Sequence, residues 1–255
     1  MPIVFTLPPP GQNVWYLAYG SNMSTEKFIK DRGIYPLRTA VVTVPRWTLS
    51  MDSAGVPYSE PSYGSISPMQ HEKDGVQLMG VAYQLTPEKY TKVLSSEGGG
   101  IAYAEIEVRA KMMDIVQDDH PSSHDGTIAV RSLTTVMRRE ARPSIRYMGL
   151  LRTGADKAEL PSSYQIFLAG IPVYSPPTRL FFRLGAVLFL LFWTPVMMVA
   201  EILTKESLKR SQTGNAPAWV IVLVRTVVRV MWLYHDYIHA PVWGRGDGMD
   251  GISRY

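Results

Sequence analysis

The chain has 255 residues, 46% of them hydrophobic and 19% charged, with 11% aromatic residues and no cysteine. This composition rules out a wholly disordered chain, and the missing thiols rule out disulfide scaffolds, thiolate metal sites, cysteine nucleophiles and iron–sulfur clusters together. Charge is uneven: residues 1–177 carry 17 Lys and Arg against 17 Asp and Glu, and residues 178–255 carry 9 against 5. A neutral body argues against a nucleic-acid partner, because phosphate backbones need clustered cations, whereas a basic tail points to a membrane surface.

Residues 1–11 contain no Lys or Arg and include Pro8, Pro9 and Pro10, so they lack the charged start and apolar run of a secretion signal. A flexible N-terminus over residues 1–13 and a body that is cytoplasmic rather than secreted are expected. Residues 14–19 (Val-Trp-Tyr-Leu-Ala-Tyr) read as a buried strand ending in the turn Gly20-Ser21-Asn22. Ser24, Thr25 and Glu26 mark a helix start. Strand-like runs recur at 38–44, 47–51, 77–84, 103–110 and 128–133, and Thr86-Pro87-Glu88 opens a helix to about Ser95, with Thr as cap and Pro at the first helical position. Many strands with few helices between them predict an α+β fold, a small mixed β-barrel or sheet with helices outside.

Residues 172–177 look like a boundary, dividing a body at 14–175 from an extension at 176–255. Residues 184–200 are without formal charge; as a helix they rise about 26 Å, a little short of a roughly 30 Å hydrocarbon core unless flanking residues extend the run. Residues 218–237 are apolar apart from Arg225, Thr226, Arg229, His235 and Asp236, a pattern more interfacial than spanning. Phe181, Phe182, Trp193, Trp219 and Trp232 have the character of headgroup-depth aromatics. Two alternatives stand for the extension: a membrane partner, or a helical hairpin packed on the body.

Two stretches could carry chemistry. Tyr16, Leu17, Ala18, Tyr19, Gly20 and Ser21 deliver a turn whose backbone N–H groups can converge on a carboxylate or developing oxyanion; an ordinary strand-to-helix turn has the same local sequence. Glu97, followed by Gly98, Gly99 and Gly100, places a carboxylate at a helix C-terminus beside residues that cannot cover it. Such a carboxylate could serve as a general base, the alternative being a solvated glutamate beside a flexible turn.

Together, Tyr16-Leu-Ala-Tyr-Gly-Ser-Asn22 and Glu97-Gly98, 75 positions apart, resemble the γ-glutamylcyclotransferase family. Tyr103, Ile106-Glu107-Val108, Pro143 to Tyr147, Gly154-Ala155, Leu160-Pro161 and Tyr164 extend the resemblance across about residues 14–170, with a gap from Glu97 to Tyr103 one residue shorter than the family's. Tyr19-Gly20-Ser21-Asn22 resembles the broad γ-glutamyl-amino-acid branch rather than the glutathione-specific branch, which has leucine after the serine. The extension departs from compact soluble members and is similar to fungal members of gliotoxin-type epipolythiodioxopiperazine biosynthesis. The resemblance implies an enzyme, a lyase, acting without cofactor or metal on a small γ-glutamyl substrate, in which Glu97 moves the proton while Tyr16, Leu17, Ala18, Tyr19, Gly20, Ser21 and Tyr147 bind substrate. A membrane-tethered scaffold without turnover is the alternative.

Other motifs are weaker. The stretch 118–126, with two histidines and three aspartates, reads as a surface loop in preference to a metal site. His235-Asp-Tyr-Ile-His239 has the histidine spacing of a zinc-protease helix but lacks the glutamate base and precedes Pro241, which favours packing. Asn22-Met23-Ser24 is formally a glycosylation sequon, expected to be unused. Residues 244–251 read as a mobile terminus.

Overall fold

The structure, a computed structural model, describes residues 5–6, 8–9, 11–70, 75–113 and 126–249. Its strands are β1 (Val14–Ala18), β2 (Arg38–Val44), β3 (Trp47–Val56), β4 (Glu60–Pro68), β5 (Leu78–Leu85), β6 (Tyr103–Met112) and β7 (Thr127–Thr135). Five close into a barrel in the order β1-β5-β2-β6-β7. Pairing is antiparallel except where β1 meets β7 in parallel, at Tyr16 and Arg131. Closure removes the open edges that an isolated sheet would expose. The remaining pair, β3 and β4, forms a bulged hairpin beside the barrel, tied to it where Ser65 Oγ accepts the Thr135 N–H at 2.9 Å.

Helices α1 (Thr25–Arg32), α2 (Pro87–Ser96), α3 (Ile145–Lys157) and α4 (Ser162–Gly170) cover the barrel. The single fully buried aromatic of α1, Phe28, stacks on Tyr83 of β5 with ring centroids 4.4 Å apart, a burial worth about 1.5–3 kcal/mol. On α2, Tyr90, Val93 and Leu94 face inward at i, i+3, i+4 spacing. The Thr86 hydroxyl caps α2 by accepting the Lys89 N–H at 3.4 Å, and Gly98, Gly99 and Gly100 end it at φ 84°, 57° and 87°. Three successive left-handed residues are open to glycine alone without strain.

The extension forms α5 (Leu180–Lys209), α6 (Ala218–Tyr234), a π-helical turn (His235–His239) and α7 (Ala240–Trp243). Phe189 and Trp193, early in α5, pack with Val228, Met231 and Trp232, late in α6, and with Tyr58 of the body. Ala200, late in α5, packs with Val220 and Ile221, early in α6, and with Ile101 of the body. The two helices therefore run antiparallel as a hairpin whose inner face lies on the barrel domain. By length and composition both α5 and Ala218–Trp243 could cross a membrane, with 17% and 39% of their apolar windows buried. The outward residues remain apolar: Leu180 is 80% exposed, Leu191 68% and Tyr237 77%.

Two expectations need correction. Residues 244–249 are not a loose end: Tyr58 N–H donates to Gly246 O at 2.6 Å, Arg142 N–H donates to Asp247 O at 2.8 Å, and Asp247 is fully buried against Arg245. Glycine density suggested mobility, but here glycine permits close approach, since a Cβ on Gly246 would lie 2.3 Å from the Tyr58 ring. The strand β4 was not foreseen at all. At the other end Phe5 is buried, and its N–H donates to Asn215 Oδ1 at 2.7 Å. The stretch 118–126, apart from Gly126, lies outside the described residues.

Candidate active site

The strand β1 delivers Tyr19 and Gly20 to a 3-10 turn (Ser21–Met23), whose first N–H groups, those of Ser21 and Asn22, are not consumed by the turn's own bonding. The Tyr83 hydroxyl supports the turn from β5 by donating toward Asn22 O and Met23 O, at 2.9 and 3.1 Å. Helix α3 supports it from the other side. Gly154 there lies so close that a Cβ would sit 3.3 Å from Met23 Cβ, which gives the Gly154-Ala155 pair a packing reason.

Glu97 closes α2 and reaches the same turn. Its Oε1 accepts from Asn22 Nδ2 at 2.9 Å and from Arg32 at 2.6 Å. Arg32 also donates from Nε to Asn22 Oδ1 at 3.0 Å and from its second terminal nitrogen to Ser96 Oγ, so a four-residue network ties α1, the turn and α2 together. Oε2 of Glu97 has no hydrogen-bond partner among the described residues. The carboxylate and guanidinium are four-fifths buried, where an ion pair loses less to solvent screening than at the surface.

These groups line a recess of about 350 Å³, its mouth included, formed by Tyr16, Tyr19, Gly20, Ser21, Asn22, Gly64, Glu97, Tyr103, Leu133 and Tyr147. Tyr147 sits at the third position of α3, where Ser144 caps the helix by accepting the Tyr147 N–H at 3.0 Å. Its hydroxyl accepts from Gly64 N–H at 2.9 Å, and its own proton has no acceptor among the described residues. Burial pushes the Tyr16 and Tyr147 phenols above their usual range; at Tyr16 the Glu97 charge adds most to this, and at Tyr147 the hydrogen bond from Gly64 opposes it more than the Glu97 charge reinforces it. Both therefore stay protonated at neutral pH and serve as donors. Tyr19 donates to Leu133 O at 2.6 Å and Tyr103 to Gly64 O at 3.0 Å, so those hydroxyls are committed to the walls.

Of the residues singled out from sequence, Glu97, Tyr16, Tyr19, Gly20, Ser21 and Tyr147 meet at this recess. Leu17 and Ala18 do not line it; both are buried in the barrel core, and Leu17 O accepts from Ser132 Oγ at 3.1 Å. Asn22, Arg32 and Gly64 were not assigned roles. Asn22 belongs to the motif itself, but nothing in the sequence distinguishes an amide that holds a carboxylate from one that caps a turn. The sequon asparagine is nine-tenths buried and committed to Glu97 and Arg32.

The His235–His239 stretch packs within the extension. Its backbone is π-helical, so the two imidazoles lack the α-helical i, i+4 placement of a zinc-protease pair. His239 Nε2 lies 3.0 Å from Gly185 O. His235, Asp236 and Asp247 offer ligand atoms within 4.8 Å of one another. These groups are already engaged with Arg139, Arg245 and the Gly246 N–H.

Comparison with known proteins places the chain in a family. A family model described as the AclK C-terminal domain matches residues 179–242. The chain is 41% identical to the γ-glutamyl cyclotransferase aclK of Aspergillus oryzae, across 92% of this chain and 90% of that protein. It is 37% identical to the γ-glutamyl cyclotransferase gliK of Aspergillus fumigatus, across 95% and 92%. A solved structure titled as a γ-glutamyl cyclotransferase superposes with a TM-score of 0.52 at 21% identity, covering 66% of this chain and 93% of that one; this likeness speaks for the fold. The chain belongs to the γ-glutamyl cyclotransferase family, and it is an enzyme of that type.

Proposed function

We propose that the chain releases 5-oxoproline from a γ-glutamyl peptide or a glutathione-derived intermediate, as a step in fungal secondary metabolism of the gliotoxin type. The observation that carries this reading is the division of labour at Glu97: Asn22 and Arg32 hold Oε1, while Oε2 is left without a partner among the described residues. A carboxylate fixed through one oxygen keeps the other for proton transfer.

The substrate's α-amine attacks its own γ-carbonyl carbon. A C–N bond forms and closes a five-membered ring, the original amide C–N bond breaks, and the remaining peptide leaves as an amine. Glu97 accepts the proton that the α-ammonium must lose and returns it to the departing nitrogen; the second proton, shed as the attacking nitrogen becomes the ring amide, leaves with the released amine as its ammonium form. Holding nucleophile and electrophile of one short chain in the folded conformer supplies much of the rate. The N–H groups of the Gly20–Asn22 turn and the Tyr147 hydroxyl act on the substrate carboxylate and on the oxygen that becomes negative. No residue in this sequence of steps needs a cofactor.

On this reading residues 14–175 are the catalytic body and residues 176–255 an extension that lies on a membrane surface, with the body on its cytoplasmic side. The apolar outer face supports that placement. Arg225 and Trp232 argue against crossing, because both bond to carbonyls of the body, at 2.8 and 3.0 Å, and a helix so committed is not free to be surrounded by lipid.

Incubation of the full chain with γ-glutamyl dipeptides and glutathione thioethers, with release of 5-oxoproline followed, tests the function. Glu97→Gln keeps shape and loses the base, so turnover is expected to fall by roughly 10²–10⁴-fold. Near-normal release from that variant would remove Glu97 from the mechanism.

A further inference from the structure

The turn that follows Glu97 is held from outside the catalytic body. Its three glycines sit at positive φ, and a glycine run is the backbone with the most conformational freedom to lose. Internal bonds account for the N–H groups of Gly98, Gly99 and Ile101, which donate to Ser95 O, Leu94 O and Gly98 O. The carbonyls point elsewhere. Gly99 O accepts from Ala216 N–H at 2.9 Å, Gly100 O from a terminal guanidinium nitrogen of Arg225 at 2.8 Å, and Ile101 O from Arg225 Nε at 2.8 Å. All three donors belong to the extension.

Packing repeats the pattern. Ile101 is buried in a cluster otherwise made of extension residues, among them Ala200, Val220 and Val224. A Cβ on Gly99 would lie 2.5 Å from Leu208 Cδ2 and 2.7 Å from Ala216 N. Among the described residues no carboxylate pairs with Arg225, so its fork is spent wholly on these two carbonyls, an arrangement a lysine cannot reproduce.

We propose that Arg225 is a positioning residue for the Glu97 reaction, through which the extension fixes the Gly98–Ile101 turn and hence the place and direction of the carboxylate. This rests on the reading of Glu97 as the proton-transfer group. Arg225 touches no substrate; it acts by denying the glycine turn its other conformations. The extension is then part of the catalytic apparatus, joined to the active site through the contacts of Arg225 and Ala216 with the glycine turn.

The test compares full-length wild type, Arg225→Met, Arg225→Lys, Arg229→Met and Glu97→Gln. Arg229 lies four residues further along α6 and is exposed, so its removal controls for lost charge. Arg225→Met is expected to lower kcat by roughly 10–100-fold, the scale of a small misplacement of a catalytic group. KM on a γ-glutamyl dipeptide should stay within about threefold, and hydrogen exchange should quicken at the amides of 98–101. Arg225→Lys should recover part of kcat, and Arg229→Met all of it. Should Arg225→Met fail to fold, Arg225→Lys carries the same measurement with a smaller loss. Wild-type kcat and unchanged exchange in Arg225→Met, or in Arg225→Lys where that variant stands in, overturn the inference, as does a rise in KM at constant kcat. Glu97→Gln separates the two levels: if it retains turnover, the reading of Glu97 fails, whereas if it is inactive while Arg225→Met is normal, the positioning role alone fails.

Discussion

The side-chain amide of Asn22 donates a 2.9 Å hydrogen bond to Oε1 of Glu97, across 75 positions of sequence. With Arg32 bonding both residues, the amide does more than fill space beside the carboxylate. It links the turn offering N–H donors to the carboxylate proposed above to move the proton, so the two halves of the recess hold a common register.

Replacing Asn22 by leucine keeps the volume and removes that link. The variant should retain its fold, losing about 1 kcal/mol because a buried carboxylate oxygen loses a donor. Its kcat should drop about tenfold, equivalent to ~1.4 kcal/mol of barrier. Steady-state kinetics alongside a urea titration checks this, and an unaltered kcat would mean that Arg32 alone orients Glu97.

Acid should loosen the extension before the barrel. His235 is fully buried, its Nδ1 lies 2.9 Å from Asp236 Oδ1, and its Nε2 accepts the Gly246 N–H at 3.2 Å. Burial holds its pKa well below the ordinary 6.5, and Arg245, His239 and Arg139 push the same way against the opposing charge of Asp247. The unfolded chain therefore binds a proton that the folded chain refuses. The corresponding stability is complete above pH 6.5 and declines as pH falls toward the folded value, at up to about 1.4 kcal/mol per pH unit. Denaturant midpoints followed by tryptophan fluorescence at pH 7.5, 6 and 5 should fall in that order. His235→Gln should flatten the trend, and an identical slope in that variant would place its origin elsewhere.

The outer face of the hairpin should bind lipid. Arg179, Arg183 and Arg210 are exposed at the two ends of α5, while Lys205 and Lys209 there pair with Glu201 and Glu206; the arginines favour anionic headgroups, at about 1 kcal/mol for each cation near the surface. Full-length protein is expected to sediment with phosphatidylserine-containing vesicles and to do so less well at high salt. A variant carrying Leu191→Glu and Leu233→Glu, both on exposed positions, should remain in the supernatant with normal turnover. Equal sedimentation of the two proteins would assign the apolar face to something other than a bilayer.

The strands β1, β2, β5, β6 and β7 were legible because each is a run of apolar and β-branched residues between turn signals. The hairpin strand β4 was not, because Glu-Pro-Ser-Tyr-Gly-Ser-Ile-Ser-Pro carries the composition of a loop. Its pairing with β3 and the buried hydroxyls of Ser62 and Ser65 are tertiary facts with no local signature. At the site, Glu97 and the glycine turn announced themselves by residue type. Arg32 looked like any cation in the last turn of a short amphipathic helix, and Gly64 contributes only backbone, which sequence cannot single out. The extension shows the same limit from the other side: its apolar character was plain, but that an arginine inside it would be spent on the active-site turn depends on a fold that brings residues 101 and 225 together.

Because Ala216 and Arg225 supply the donors for Gly99, Gly100 and Ile101, excising the tail is a poor route to a more tractable protein. A shortened chain ending near residue 175 would leave three carbonyls without their donors, uncover Ile101 and Tyr58, and free the glycine hinge beside Glu97. A water-soluble derivative is better sought by repainting the outward side chains of the two long helices with polar residues, leaving the underside that grips the barrel untouched.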